Sequence, residues 1–286
     1  MAHRPLATLI CAAALAGCGG GDEPAADEVA TLTTPPATTA AAETEPPPAG
    51  SVVRLYYLDG EKLKVVLGLT EPTQGVAADA LRLLIENEQA DQTAIPGGTK
   101  LLGLSVADGE ATVDLSREFE SGGGSASMQA RVAQVVYTLT QWPTIDSVTF
   151  RLDGEAVDAI GGEGVQARGV TRSDFTDVLP AILVEAPIAN TFAVSPLIVT
   201  GSASVFEANV SLRLEDEDGK TLAEAFATAL EGAPGRGAFE TKIEFEVTKP
   251  TNGVLVAFEG SAADGSETNV VRVPLRLCPA RSSAGC

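Results

Sequence analysis

Histidine is almost missing from this chain: His3 is the single one in 286 residues. It lies in an N-terminal stretch with the features of a removable leader, so the remainder can assemble neither a Ser-His-Asp or Cys-His catalytic set nor an imidazole-ligated zinc or iron site. Positive charge is scarce too. Nineteen Lys plus Arg stand against 39 Asp plus Glu, for a net charge of −20 and a pI near 4.3, a balance that disfavours nucleic acid and charge-driven adhesion to anionic lipid. One Trp and three Tyr leave little surface for stacking on sugars. The four cysteines, Cys11, Cys18, Cys278 and Cys286, include no C-x-x-C spacing, so that redox or metal pattern is absent.

What is present begins with Arg4 in the charged stretch Met1–Pro5, followed by the apolar run Leu6–Gly17. As a helix this run would reach about 18 Å, short of the ~30 Å hydrocarbon core, so residues 1–17 read as a cleaved export signal and not as a span. The ending Leu15-Ala16-Gly17-Cys18 resembles the lipobox of bacterial lipoproteins. That resemblance implies cleavage before Cys18 and a diacylglycerol on its sulfur, placing the protein at the membrane's extracytoplasmic face, since two acyl chains suffice for lasting attachment. Cys278 and Cys286 flank the short tail PARSSAG. On an exported protein they can form a disulfide, worth about 2–3 kcal/mol for so small a loop, or remain free thiols.

Residues 18–50 contain TLTTPPATTAAAETEPPPAG, a Thr/Pro/Ala/Glu linker too poor in large apolar residues to offset chain entropy; a disordered stalk is expected. From Ser51 the pattern becomes globular. VVRLYYL and KLKVVL flank Asp59-Gly60, KLLGLSVA and ATVDLS flank Asp108-Gly109, and SVTFRL closes on Asp153-Gly154, each Asp-Gly a hairpin signal. GVAADALRLLIENE has one apolar helical face. Met128, Val132, Val135, Val136 and Leu139 repeat at helical spacing up to Trp142-Pro143. The order predicts an α+β domain over residues 51–168. After a linker at 169–180, residues 181–278 hold short strands at regular spacing, an all-β sandwich, followed by a tail at 279–286. TLAEAFATAL fits either a helix or a strand, and the absence of a Cys…Trp…Cys pattern excludes an antibody-type core.

Four motifs invite sharper readings. Gly161 to Ala167 contains G-x-G-x-x-A, but the following VQARGVTRSDF has no helical apolar face, so a flexible domain-end loop is expected in place of a dinucleotide site. SGGGSAS (121–127) opens a helix whose amides could hold an anion. With no Lys-Ser or Lys-Thr after the glycines, the reading is a mobile loop with a serine cap. LEDEDG (214–219) lacks the ligand order of an EF-hand and reads as a solvated turn. In EGAPGRGAF (231–239), Arg236 is a lone cation among glycines, and Arg236 with Phe239 is read as a recognition loop. Carboxylate-pair hydrolysis is the remaining enzymatic option, and no site residue stands out for it.

The two halves resemble a known pair. "AIPGGTKLLGLSVADGEATVDLSREF" (94–119) and "SMQARVAQVVYTLTQWPTIDSVTFRLDGE" (127–155) resemble the GerMN domain. "ILVEAPIANTFAVSPLIVTGSASVFEANVSLRLEDEDGKTLAE", "EGAPGRGAFETKIEF" and "GSAADGSETNVVRVPLRL" resemble the immunoglobulin-like domain of bacterial spore germination proteins, departing only in the turn Lys249–Val254. The resemblance implies a GerMN-like α+β domain followed by an immunoglobulin-like sandwich, in a non-enzymatic lipoprotein of sporulation or germination type. Such a protein would be held at the membrane by Cys18 and act by assembly with an envelope protein or with itself. It implies no catalytic residue, cofactor, metal or nucleic acid. The competing expectation is a receptor lipoprotein for a cell-wall polymer or small solute.

Overall fold

Alternation of large and small side chains in VVRLYYLD and KLKVVLGL folds into an antiparallel hairpin, β1 (Val52–Asp59) and β2 (Lys62–Leu69). The computed structural model describes residues 50–72, 75–86, 92–162 and 164–280. The expected signal, Cys18, nearly all of the linker and Cys286 therefore lie outside the described residues. Helix α1 (Val76–Glu86) buries Ala80, Leu81 and Leu84. A four-stranded sheet follows, built from β3 (Leu101–Ala107), β4 (Glu110–Leu115), β5 (Ser147–Leu152) and β6 (Glu155–Ala156) in that spatial order. Its Asp108-Gly109 turn has φ of 52° and 82°, and Asp153-Gly154 has 50° and 79°. Two successive positive φ values make the tight primed turn that the Asp-Gly pairs signalled.

Strands β4 and β5 run parallel, so the chain between them must cross over, and helix α2 (Ser125–Leu139) makes the crossing. This helix is buried nearly all round. Val132, Val135, Val136 and Leu139 have no exposed surface, and Phe119 stacks on Phe150 with ring centres 5.8 Å apart. A small hairpin of β7 (Ala159–Ile160) and β8 (Val165–Gln166) closes the domain.

The second half is the expected sandwich. One sheet has the order β10 (Thr191–Ala193), β16 (Glu267–Leu277), β15 (Thr251–Gly260), β12 (Asn209–Asp216) and β13 (Thr221–Thr228); the other is β14 (Gly237–Ile243), β11 (Leu197–Ala203) and β9 (Ile182–Ala186). TLAEAFATAL, open to two readings in the sequence, forms strand β13 against β12. Alternate residues Val210, Leu212 and Leu214 of β12 share the core between the sheets with Leu255 and Leu275 of the same sheet and Val199 of the other. No helix among the described residues is long and apolar enough to cross a membrane.

The expected linker at 169–180 is instead structured. Val170 pairs with Val148, and Arg172–Val178 form an irregular 3-10 segment. The segment is started by the Asp174 carboxylate, which accepts the Thr171 N–H at 2.7 Å, and Phe175, Val178 and Leu179 join the first domain's core. The described residues from Gly50 onward form one compact unit.

Strand β1 has a neighbour strand on one side only, and helix α2 supplies the other. Gln134 Nε2 donates to the Tyr56 carbonyl at 2.9 Å and Thr138 Oγ1 accepts the Tyr56 N–H. One turn on, Gln141 accepts the Arg54 N–H and donates to the Arg54 carbonyl, both at 2.9 Å. Gln134 and Thr138 lie on one face of α2 and Gln141 follows just past its C-terminus, so three side chains stand in for a strand's ladder. Gln134 also accepts from Ala94 N–H at 2.8 Å and Thr93 Oγ1 and is fully buried. Gln134→Leu should therefore cost about 2–4 kcal/mol, because the buried Tyr56 carbonyl and the half-buried Ala94 N–H and Thr93 hydroxyl each lose a partner. Chemical denaturation would check it, and a loss under ~1 kcal/mol would mean that the ladder contributes little.

Candidate functional site: a locked domain junction and an exposed aromatic face

The two domains meet on a half-buried cluster of polar side chains. Arg172, from the 3-10 segment, donates to Glu185 of β9 at 2.7 Å, to Tyr56 Oη at 3.2 Å, to the Tyr137 carbonyl at 3.1 Å and to Thr140 Oγ1 at 2.7 Å. Its guanidinium lies 4.6 Å from the centre of the Tyr137 ring and 5.5 Å from that of Tyr56. Tyr56 Oη in turn donates to Glu185, and Tyr137 Oη to the Arg172 carbonyl. Burial alone would raise the pKa of Glu185, but the adjacent Arg172 charge, with hydrogen bonds from Tyr56 and Arg172, outweighs it and holds the carboxyl below its ordinary value. For Tyr56, burial first and the Glu185 charge second drive the phenol's pKa upward; burial likewise takes Tyr137 to about 12.

Arg236 belongs to this junction, which corrects the recognition-loop expectation. Its guanidinium donates to the Ser202 carbonyl and Oγ, each at 3.0 Å, and to the carbonyls of Pro180 and Ala181. Phe239 is 4% exposed and lies over Gly201, where an added Cβ would come within 2.8 Å of its ring. One residue ties the sandwich to the chain entering it, the other fills its core, and neither is presented to a partner. The lone cation among glycines was visible in the sequence; the inward carbonyls it serves were not.

What the second domain does present is aromatic. Phe226 of β13 and Phe258 of β15 both pair across Ser211 of β12, so two rings flank one small side chain on the sheet's outer face. The groove between them holds about 410 Å³, and Phe226 is 68% exposed. Nearby, Phe206 and Leu230 are also exposed, on segments joined by the Ala229 N–H to Ala208 carbonyl and Ala233 N–H to Val205 carbonyl bonds. Glu207 and Ala208, immediately after Phe206, both have positive φ, 54° and 57°. Non-glycine residues adopt that region only at a cost, and strain of this kind accumulates where a side chain must be held in one place. Alternation in TLAEAFATAL could have pointed to Phe226 had the segment been read as a strand.

The remaining motifs resolve structurally. Asp216 Oδ1 accepts the N–H groups of Asp218 and Lys220 at 3.0 and 2.9 Å, making LEDEDG the β12–β13 turn, and no cluster suited to a metal ion occurs among the described residues. Gly161 and Gly164 shape the β7–β8 turn, with a strand after them where a dinucleotide fingerprint needs a helix. Helix α2 begins after Gly124 with no side-chain cap, so the serine cap expected in SGGGSAS is not made. Cys278 is buried and disulfide-bonded.

Arg172→Met should destabilise the protein by about 2–4 kcal/mol, since Glu185 then keeps a buried charge without its cation. A lowered carboxyl pKa contributes stability that is present above the unfolded value and disappears as pH falls through the folded one. The junction should accordingly loosen below about pH 4. A raised Tyr56 pKa predicts the mirror effect, with stability falling as pH climbs past about 10. Glu185→Gln should flatten the acid limb of a thermal-stability profile and, by removing the second cause of the Tyr56 shift, weaken the alkaline limb without abolishing it; an unchanged acid limb would remove Glu185 from the lock.

Residues 54–158 match the Germane family, described as sporulation and spore germination, and residues 181–266 match Gmad2, the immunoglobulin-like domain of bacterial spore germination. Among solved structures, the first GerMN domain of the sporulation protein GerM from Bacillus subtilis is similar at 24% identity, covering 43% of this chain and 98% of that one, with a TM-score of 0.36. The tandem GerMN domains of the same protein match at 19% identity over 68% of this chain and 62% of that one, TM-score 0.41. A Clostridium perfringens protein assigned as a lipoprotein matches at 22% identity over 46% and 93%, TM-score 0.34. No curated protein matches the chain. Domain by domain, the chain belongs to the Germane and Gmad2 families: a GerMN module joined to an immunoglobulin-like domain of the bacterial spore germination type.

Proposed function

We propose that this protein is a lipid-anchored adaptor of sporulation or germination type, working outside the cytoplasm by protein contact and without catalysis. In this reading the sulfur of Cys18 carries the lipid, residues 18–50 separate the anchor from the folded pair, and the sandwich offers the contact surface. The supporting observation is the exposure of Phe206, Phe226 and Leu230, three large apolar side chains 59%, 68% and 88% exposed on one domain, on strand β13 and the segments that follow and pair beside it. Exposed apolar groups gathered in this way mark protein contact surfaces, whereas scattered ones need no explanation. The junction built on Arg172 and Arg236 supports the same reading, because a surface held at a fixed angle loses less freedom when it binds.

Two outcomes follow. Cys18→Ser should move the protein from the membrane fraction to the soluble extracytoplasmic fraction, and retention on membranes would sink the anchor. For the contact surface, a photo-cross-linker at Ser211 should give a discrete adduct in sporulating or germinating cells. The combined changes Phe206→Ser, Phe226→Ser and Leu230→Ser should reduce that adduct at least about tenfold, a loss of ~1.4 kcal/mol or more in binding, with the melting temperature unchanged. An adduct of equal yield would place the contact elsewhere.

A further inference from the structure

Arg131 of α2 is 2% exposed, yet it has no carboxylate partner. Its Nη1 donates to the carbonyls of Phe119 at 2.7 Å and Ser121 at 3.0 Å; its Nη2 donates to the Gly122 carbonyl at 3.0 Å and to Ser127 Oγ at 3.2 Å. Its Nε has no partner. A guanidinium stays protonated in a protein, so a full positive charge sits here among neutral acceptors.

The neighbouring peptide units turn that charge outward. In a trans peptide the C=O and the following N–H point in opposite directions. With the Ser121 and Gly122 carbonyls drawn in toward Arg131, the N–H groups of Gly122 and Gly123 are directed away from it. Neither N–H makes a hydrogen bond among the described residues. The arrangement depends on glycine, because φ is +62° at Gly122 and +80° at Gly123, and a Cβ on Gly123 would come within 2.7 Å of Ser127 Oγ. Both glycines line a cleft of about 830 Å³ together with Ser127, Arg131 and the turn Pro96–Thr99 followed by Lys100. Gly97 and Gly98 belong to that turn, and their N–H groups also make no hydrogen bond among the described residues. Lys100 is exposed and forms no ion pair; the nearby Glu118 feels its charge. Among the described residues lining the cleft, Glu86, exposed at the rim, is the one acid.

We propose that the cleft between the Pro96–Thr99 turn and the Gly122–Gly124 loop binds the oxyanion group, phosphate or carboxylate, of a small ligand. The amides of Gly122 and Gly123 would donate to it, backed by Arg131 through the two peptide units, and Lys100 would close over it from the end of the Pro96–Thr99 turn. Outward amides in a glycine loop form a concave anion seat without a dedicated side chain, and a buried cation behind them supplies the charge that an isolated helix start lacks. The site is independent of the anchor and of the aromatic face.

The test is a titration of the purified, isotope-labelled full chain with inorganic phosphate, and separately with acetate, at constant ionic strength, following backbone amide resonances. Saturable shifts are expected at Gly122 and Gly123, with a Kd on the order of 1 mM or tighter for at least one anion; the tighter of the two assigns the ligand's group. Lys100→Glu, a surface change that leaves Arg131 and the loop intact, should weaken binding by about tenfold or more without altering the melting temperature. Three results would overturn the site: no saturation with either anion, shifts of the same size at the remote turn glycines Gly219 and Gly265, or unchanged binding in Lys100→Glu. In each of those cases Arg131 only organises the loop.

Discussion

Tyr56 is where the two halves of this molecule become one. Its backbone N–H and C=O are held by Thr138 and Gln134 of α2, its ring lies 5.3 Å from that of Tyr137, and its hydroxyl reaches Glu185 in the second domain. A tyrosine suits this position because it is apolar along its length and polar at its tip. Were the backbone of β1 to slip by one residue, the ring would turn to the other side of the hairpin and the hydroxyl would leave Glu185. The side-chain ladder of Gln134, Thr138 and Gln141 fixes that register, and the register in turn fixes the junction. Inter-domain surfaces in single chains otherwise tend toward polar, mobile contacts; here a half-buried, hydrogen-bonded Arg–Glu–Tyr set spans the seam.

Much of the framework could be read from local pattern alone. The Asp-Gly turns, the helical spacing from Met128 to Leu139 and the even strand spacing after residue 181 are short-range features, and each corresponds to an element of the structure. What escaped was of longer range. Arg172 lies in a stretch that reads as a linker, although Thr171 and Asp174 carry the spacing that starts a helical turn; its partner Glu185 is a single acid in the apolar run ILVEAP. The two are 13 residues apart, but Tyr56 is 116 residues from Arg172, and no periodicity connects positions so distant. Arg236 failed in the opposite sense. A cation among glycines suggested an exposed loop, whereas the arginine turns inward to the carbonyls of Pro180, Ala181 and Ser202.

The same contrast explains why the aromatic face was missed. In TLAEAFATAL the alternation alanine, alanine, alanine places small residues on the inner side of β13 and leaves Phe226 outside, the reverse of what burial by size would suggest. A sheet whose outer face carries Phe226 and Phe258 across Ser211 is arranged for something other than solubility, which the chain's charge already supplies. The positive φ of both Glu207 and Ala208 works in the same direction, because stability alone would select glycine at those positions.

Three buried or half-buried arginines, Arg131, Arg172 and Arg236, show how an acidic chain uses its few cations. Arg172 faces a carboxylate, and its charge is cancelled within the junction. Arg236 and Arg131 face carbonyls, which accept hydrogen bonds without cancelling charge, so each leaves a net positive centre under a surface that is elsewhere negative. For Arg236 the acceptors belong to the segment Pro180–Ala181 and to Ser202, and the result is attachment of one domain to the other. For Arg131 the acceptors belong to a glycine loop that is exposed on its far side, and the peptide dipoles pass the charge to the surface. Charges beyond the Debye length of about 8 Å are largely screened at physiological ionic strength, so distant acids hardly oppose an anion that enters this cleft, and the opposition comes from the near ones, Glu86 and Glu118. A strongly acidic protein can thus hold an anion, provided that the cation responsible is buried beneath the binding groups and out of reach of the surface carboxylates that would otherwise pair with it.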